Sequence, residues 1–317
     1  MPKRLTAILV PTFRSSCSTS ARTFHELRKV MGTSKLTIPV PLFHLKFLDG
    51  IRCQRRRNFK WAALAINLAA LFAASAGNAM EDLTVMISGG FSLAYRQVLP
   101  EFERNTGITV ATLSGASQGT GPKTIKSQLE NGADVDVVIL SRVGLGELIA
   151  MGRIATGSEV ELASVPLGAA VRQGSPKADV SSVDALKRAL LSARLVALPA
   201  STSGIFLKDE IFPKLAIADK VTSKLFARGI ESTGALAAGE ADLAIGPVSE
   251  LVNQPGIELV GALPDDVQLV QVFTAAIVGT SRSSEQAKQF IDYLSSDQST
   301  TAIKNSGMTP VGKARKQ

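Results

Sequence analysis

From Leu83 onward, short apolar runs alternate with stretches of helical periodicity, and no other feature of the sequence restricts the fold as much. Leu83-Thr84-Val85-Met86-Ile87, Ile108–Leu113 and Val135–Leu140 read as short, largely buried strands. The helical stretches after them end at Gly107, Gly132 and Gly152, residues suited to the left-handed position just past a helix. Pro100 inside the first of these predicts a kink or an early helix start. Pro122 is expected at the first position of the second. This β-α-β-α-β-α order implies a parallel sheet covered by helices on both faces.

A second unit begins near Val165. Ser182 is expected to cap a helix through Ser192, and strand Leu195–Leu198 follows. Ser201-Thr202-Ser203-Gly204 then opens a helix ending near Leu215. A helix starting at Ser232-Thr233-Gly234 precedes strand Leu243–Gly246. The apolar segment Val267–Gly279 is long enough to cross back between units, where Ser284 caps a helix to Ser295 and a last helix ends near Gly307. The expected fold is therefore α/β with two lobes, each a mostly parallel sheet flanked by helices. Residues 80–164 and 269–317 would form the first lobe and 165–268 the second, each of ordinary domain size.

The net charge of +8 would suggest nucleic acid or an anionic membrane as partner, but it is unevenly placed. Residues 1–80 carry 13 Lys/Arg against 2 Asp/Glu, a net of +11, whereas 81–317 carry 22 against 25, a net of −3. No nucleic-acid partner is expected. The same cut isolates Cys17, Cys53, His25, His44 and Trp61, the whole complement of those three residue types. Without that segment the chain lacks the residues for Ser-His-Asp or Cys-His catalysis, zinc sites and disulfides, and no metal or cofactor is expected.

Arg55-Arg56-Arg57 and Lys60 precede an apolar stretch from Trp61 to Ala76 that closes on Ala76-Gly77-Asn78-Ala79. A basic start, an apolar centre and a small-residue exit read as an export signal spanning 53–79, cleaved after about Ala79. The alternative, a membrane anchor, is disfavoured because the run is shorter than the ~20 residues a spanning helix needs. Arg56-Arg57-Asn58-Phe59-Lys60 resembles a twin-arginine signal with Arg55 in place of the usual Ser or Thr, so Sec and twin-arginine export both stay open. Residues 1–52 have no place in such a signal and read as an N-terminal extension ahead of the true start. The product is expected to be a soluble periplasmic monomer.

Four turns, Ser88–Ser92, Ser114–Gly121, Ser201–Gly204 and Ser232–Gly234, offer hydroxyls and free amides at an expected helix start. Such a terminus favours anions through unpaired N–H groups and the helix dipole. Capping alone would explain one such loop. Four, two per lobe, point to a cleft that holds an anion at the carboxyl ends of the strands. Gly119-Thr120-Gly121-Pro122-Lys123-Thr124 is not a phosphate loop, since Pro122 splits the Gly-Lys-Thr succession. Arg142 and Lys123 are further candidates for an anionic ligand, Tyr95 for the cleft wall, and Tyr293 for the core or the rim of the late helix. One of Asp134 and Asp136 is expected to serve a structural role.

Gln128–Gly132 with Asp136, Ser203-Gly204-Ile205-Phe206, Gly234-Ala235-Leu236 and Ile291–Leu294 resemble the periplasmic molybdate-binding family of ABC-transporter substrate-binding proteins, over nearly all of Leu83–Gly312. The resemblance implies a type II periplasmic-binding architecture, a small anionic ligand and a transporter permease as partner. It also implies a ligand cradle of serine hydroxyls, amides and one tyrosine. Its first serine falls on Gly90, or on Ser92 with a small shift, and its second lies within Ser117–Thr120, including Gly119. The amide donors map to Ser203 and Ser232, and the tyrosine falls on Pro247, which has neither hydroxyl nor N–H. The loops are also similar to a divergent branch that includes periplasmic aconitate isomerases. That activity implies an acid–base group, which without histidine must be Glu, Asp, Lys or Tyr, and nothing in the sequence marks one.

Overall fold

The computed structural model describes residues 83–311. The N-terminal extension, the export signal and its exit near Ala79 lie outside the described residues.

The first run of elements is β1 (Leu83–Ile87), a 3₁₀ turn at Gly89–Phe91, α1 (Ser92–Thr106), β2 (Val110–Ser114), α2 (Ile125–Glu130), β3 (Val137–Ser141), α3 (Arg142–Ala150) and β4 (Val160–Val165). After Pro166 come β5 (Leu167–Arg172), α4 (Val183–Ser192), β6 (Val196–Pro199) and α5 (Thr202–Phe206). A π-helical turn at Leu207–Ile211 joins α5 to α6 (Phe212–Lys214), and β7 (Ser223–Phe226), α7 (Gly229–Ala237), β8 (Leu243–Pro247), α8 (Val248–Leu251) and β9 (Ile257–Ala262) follow. The chain closes with β10 (Gln271–Ile277), α9 (Ser284–Leu294), α10 (Asp297–Asn305) and β11 (Thr309–Pro310).

Two sheets result, ordered β11-β4-β10-β3-β1-β2 and β7-β6-β8-β5-β9. In the first, β1, β2, β3 and β4 run one way while β10 and β11 are reversed. In the second only β5 is reversed. The fold is thus two-lobed α/β with sheets of mostly one direction. The reversed strands β5 and β10 are the ones entered from the opposite lobe. Gln268 ties these two crossings together: its Oε1 accepts from Leu167 N at 2.6 Å and its Nε2 donates to Leu167 O at 3.2 Å.

Each strand is apolar along its length because each sheet is covered on both faces. Leu83, Val85 and Ile87 of β1 face a core shared with α1, α9 and α10, whereas Met86 faces α2 and α3. The first core includes Phe102 stacked edge-on against Phe290 at 4.8 Å and against Tyr293 at 5.4 Å. In the other lobe β6 sends Val196 and Leu198 to the side of α4–α6 and Ala197 to the side of α7.

Most elements match the sequence expectation within a residue or two, and Ser182 caps α4 by accepting from Ala185 N at 3.2 Å. Helix starts differ at two of the loops singled out. The second helix starts at Ile125 rather than Pro122, because Thr124 caps it by accepting from Ser127 N at 3.1 Å. Residues 116–123 form a loop closed by Ala116 N donating to Lys123 O at 2.9 Å. The helix expected at Ser232 starts at Gly229: the Ser232 and Thr233 hydroxyls donate back to Gly229 O at 2.8 and 3.2 Å, so both lie inside its first turns. Pro100 lies within α1, which starts at Ser92, eight residues before it.

Candidate functional site

A cleft of about 250 Å³ opens between the lobes where the carboxyl ends of β1, β2, β6, β7 and β8 converge. Its lining comes from Ser88–Gly90, Ser114–Ser117 and Gln271 on one side and from Ser201, Ser203 and Arg228–Ile230 on the other, with Ser249 and Glu250 from α8 beneath.

Three polar groups of this lining are unusual in being unspent. A buried hydroxyl or amide without a partner costs roughly 1–3 kcal/mol, so folded proteins rarely leave one. Ser88 Oγ, Ser249 Oγ and Gln271 Nε2 have no partner among the described residues, although these three are only 3%, 1% and 6% exposed. All three line the same cleft.

Glu250 lies among them. Its carboxylate makes no hydrogen bond or salt bridge among the described residues, and burial pushes its pKa from 4.5 to about 7. The seat is shaped by two glycines from opposite walls, since a Cβ at either Gly89 or Gly229 would overlap the carboxylate oxygens. Gly89 precedes α1 and Gly229 begins α7, so the carboxylate sits where the lobes meet.

Each lobe also sends a guanidinium to the cleft. Arg96 comes from the second turn of α1; it is exposed and has no ion-pair partner among the described residues. Arg228 precedes α7 and bridges the lobes by donating to Ser114 Oγ at 3.1 Å. It also lies 3.4 Å from Glu231, which pairs in turn with Lys123 of the first lobe at 3.0 Å. Those two partners hold the Glu231 carboxyl below its usual range, the Lys123 hydrogen bond foremost. Deeper in, Ser141 and Thr202 hydroxyls meet across the lobes at 2.8 Å.

Comparison with known proteins gives this arrangement a lineage. Residues 83–309 match the family model described as bacterial extracellular solute-binding protein. The chain belongs to that family.

A curated relative of this solute-binding protein is the aconitate isomerase of Pseudomonas sp., 36% identical over 237 residues, which span 74% of this chain and 90% of that protein. Two solved structures share the fold. The periplasmic molybdate-binding protein of Azotobacter vinelandii has a TM-score of 0.56 at 20% identity, over 72% of this chain and 99% of that one. The sulfate-binding protein SubI of Mycobacterium tuberculosis H37Rv has a TM-score of 0.57 at 17% identity, over 74% and 88% respectively.

Of the residues singled out from sequence, Gly90, Ser92, Ser117 and Ser203 come together in the cleft of the solute-binding protein. Two of these hydroxyls are committed to the fold: Ser92 Oγ donates to Gly89 O at 2.7 Å, and Ser117 Oγ accepts from Ser141 N at 3.0 Å. Gly90 carries no hydroxyl because a side chain there would overlap the Phe273 ring. Gly119, Thr120 and Ser232 do not line the cleft. Gly119 packs against the Ala200 carbonyl of the other lobe instead, and Ser232 turns its hydroxyl onto its own helix. Pro247 lines it too.

The remaining candidates go elsewhere. Tyr95 is buried in the first core with its hydroxyl 2.6 Å from Thr112 Oγ1, and burial pushes its pKa to about 12. Arg142 pairs with Glu161 at 3.4 Å. Asp136 is structural, accepting from Thr84 N at 2.9 Å and Ser281 Oγ at 2.6 Å. Sequence reasoning missed Arg96, Arg228, Ser249, Glu250 and Gln271. For Ser249 and Glu250 a signal existed: both follow directly on the apolar strand Leu243–Pro247, the position where open α/β sheets place ligands.

Proposed function

We propose that this solute-binding protein closes its lobes on a small organic polycarboxylate and shifts its double bond by moving a proton, outside the cytoplasm in the periplasm. The observation that carries the reading is the pair of guanidinium groups, Arg96 from one lobe and Arg228 from the other, at one cleft. A tetrahedral oxyanion needs only amides and hydroxyls, whereas an extended molecule with carboxylates at both ends calls for a cation from each side, since arginine grips carboxylates bidentately. The relative that isomerises aconitate supports the reaction class.

The test is to incubate the purified chain with cis- and trans-aconitate and follow interconversion spectroscopically. Calorimetric titrations with tricarballylate, molybdate and sulfate run alongside. Tight tricarballylate binding with aconitate turnover is expected. Oxyanion binding without tricarboxylate binding would overturn the reading. A second reading, delivery of the bound anion to an ABC-type permease, draws on the family to which the chain belongs. Binding of tricarballylate without turnover of either aconitate would favour it.

A further inference from the structure

We infer that Glu250 is the catalytic residue that moves the proton, with Ser88, Ser249 and Gln271 receiving the charge that develops on the substrate. The inference rests on the polycarboxylate reading above and deepens it.

Geometry selects the residue. Among the described cleft-lining side chains only Arg96, Arg228 and Glu250 are ionisable, and guanidinium groups do not release protons in proteins. Glu250 is then the one lining group able to accept and return a proton. Its carboxylate is not spent on an ion pair, unlike that of Glu231 at the rim, and it lies among the three unpartnered polar groups. Burial supports the role, because a carboxyl pushed up to about 7 is populated in both forms near neutral pH and is a stronger base than an exposed one.

The step balances without any further reagent. The Glu250 carboxylate takes a proton from the CH₂ group that lies between a substrate carboxylate and the double bond. The C–H electron pair becomes an allylic carbanion delocalised into the neighbouring carboxylates. Donors already in place can stabilise that charge without reorganising, and the hydroxyls of Ser88 and Ser249 and the amide of Gln271 are such donors. The Glu250 carboxyl then returns a proton to the far end of the allyl system, the double bond settles in its new position, and the carboxylate is restored. Nothing is oxidised or reduced.

The experiment compares wild type with Glu250→Gln, Glu250→Asp and Gly229→Ala, each as the full chain. Aconitate isomerisation, exchange of substrate CH₂ hydrogens for deuterium in D₂O by NMR, and tricarballylate affinity are measured for each. Glu250→Gln keeps the shape but cannot take a proton. It should lower both turnover and exchange by roughly 100- to 10,000-fold while binding tricarballylate nearly as well as wild type. Gly229→Ala would force the carboxylate from its seat and should slow turnover with Glu250 itself intact. Glu250→Asp, which withdraws the carboxylate by one methylene, should retain more exchange than Glu250→Gln. Turnover by Glu250→Gln at the wild-type rate overturns the assignment while leaving the polycarboxylate reading standing. So does a wild-type protein that binds tricarballylate yet neither isomerises nor exchanges. A wild-type protein that binds no tricarboxylate overturns both together.

Discussion

The floor of the cleft and its rim are built from the same kinds of side chain and use them differently. At the rim, Lys123, Glu231, Arg228 and Ser114 satisfy one another across the lobes, and deeper in Ser141 does the same with Thr202. On the floor, Ser88, Ser249 and Gln271 are buried without partners and Glu250 carries an unpaired carboxylate. The rim's contacts hold two lobes together with no ligand required. The floor leaves costs that only a ligand can offset. An interface that must close and a surface that must bind therefore overlap at Arg228, which lines the cleft and also belongs to the rim network, while its neighbour Gly229 shapes the seat of Glu250.

The largest effect that tests this contrast is on affinity. Arg96 is a cation of the cleft with no protein partner, so Arg96→Ala should lose a charge-assisted bond worth roughly 1.5–3 kcal/mol. Tricarballylate binding should weaken about 10- to 150-fold by calorimetry, with little change in melting temperature. Equal losses of affinity and stability would mean that Arg96 belongs to the fold rather than the site.

Next in size is a stability effect on the floor. The folded pKa of Glu250, about 7, lies above the ordinary 4.5, so the stability tied to its proton is complete below pH 4.5 and lost as pH rises through 7. Glu250→Gln abolishes that loss. The variant should match wild type at pH 4 and exceed it at pH 8 by about 1–3 kcal/mol in denaturant titrations, partial exposure reducing the full linkage value. A variant less stable than wild type at pH 8 would show that the carboxylate is satisfied after all.

Ser249→Ala should separate the two regions by sign. Removing an unpartnered buried hydroxyl leaves the free protein as stable as before or slightly more so. Tricarballylate binding loses a neutral hydrogen bond of about 0.5–1.5 kcal/mol, or roughly 2- to 12-fold in affinity. The smallest effect belongs to the rim. Lys123 is 58% exposed, so Lys123→Ala should cost less than about 1 kcal/mol and matter less still in high salt.

How far the sequence foretold each region follows from the range of the interactions involved. Strand and helix order was legible because apolar runs and capping residues act within a few positions. Leu83–Ile87 is a strand as expected, and Gly107 ends α1 in the left-handed conformation at φ 74°. The anion-suited turns Ser88–Ser92, Ser114–Ser117 and Ser201–Ser203 reach the cleft because strand ends in such a fold must converge. Local pattern misled at Ser232, where a good capping residue sits inside the helix instead, its hydroxyl bonded one turn back to Gly229. It was silent on Gln271, which is an unremarkable polar residue until β10 crosses between the lobes and leaves its amide unpaired.

By itself, then, the sequence determined the two-lobed α/β order, the turns that would face one another, and the exclusion of histidine and cysteine chemistry from residues 81–317. Those follow from local periodicity and from composition, which need no partner in space. Only the tertiary structure decided which polar groups remain unsatisfied and which carboxylate is paired. A place after an apolar strand does not say which of Glu250 and Glu231 stays unpaired, because each begins as an ordinary carboxylate on a short helix. One then meets Lys123 from 108 residues away, and the other meets the bare backbone of Gly89 and Gly229. The pKa of a carboxyl group is a property of its surroundings, and those are assembled only when the lobes come together.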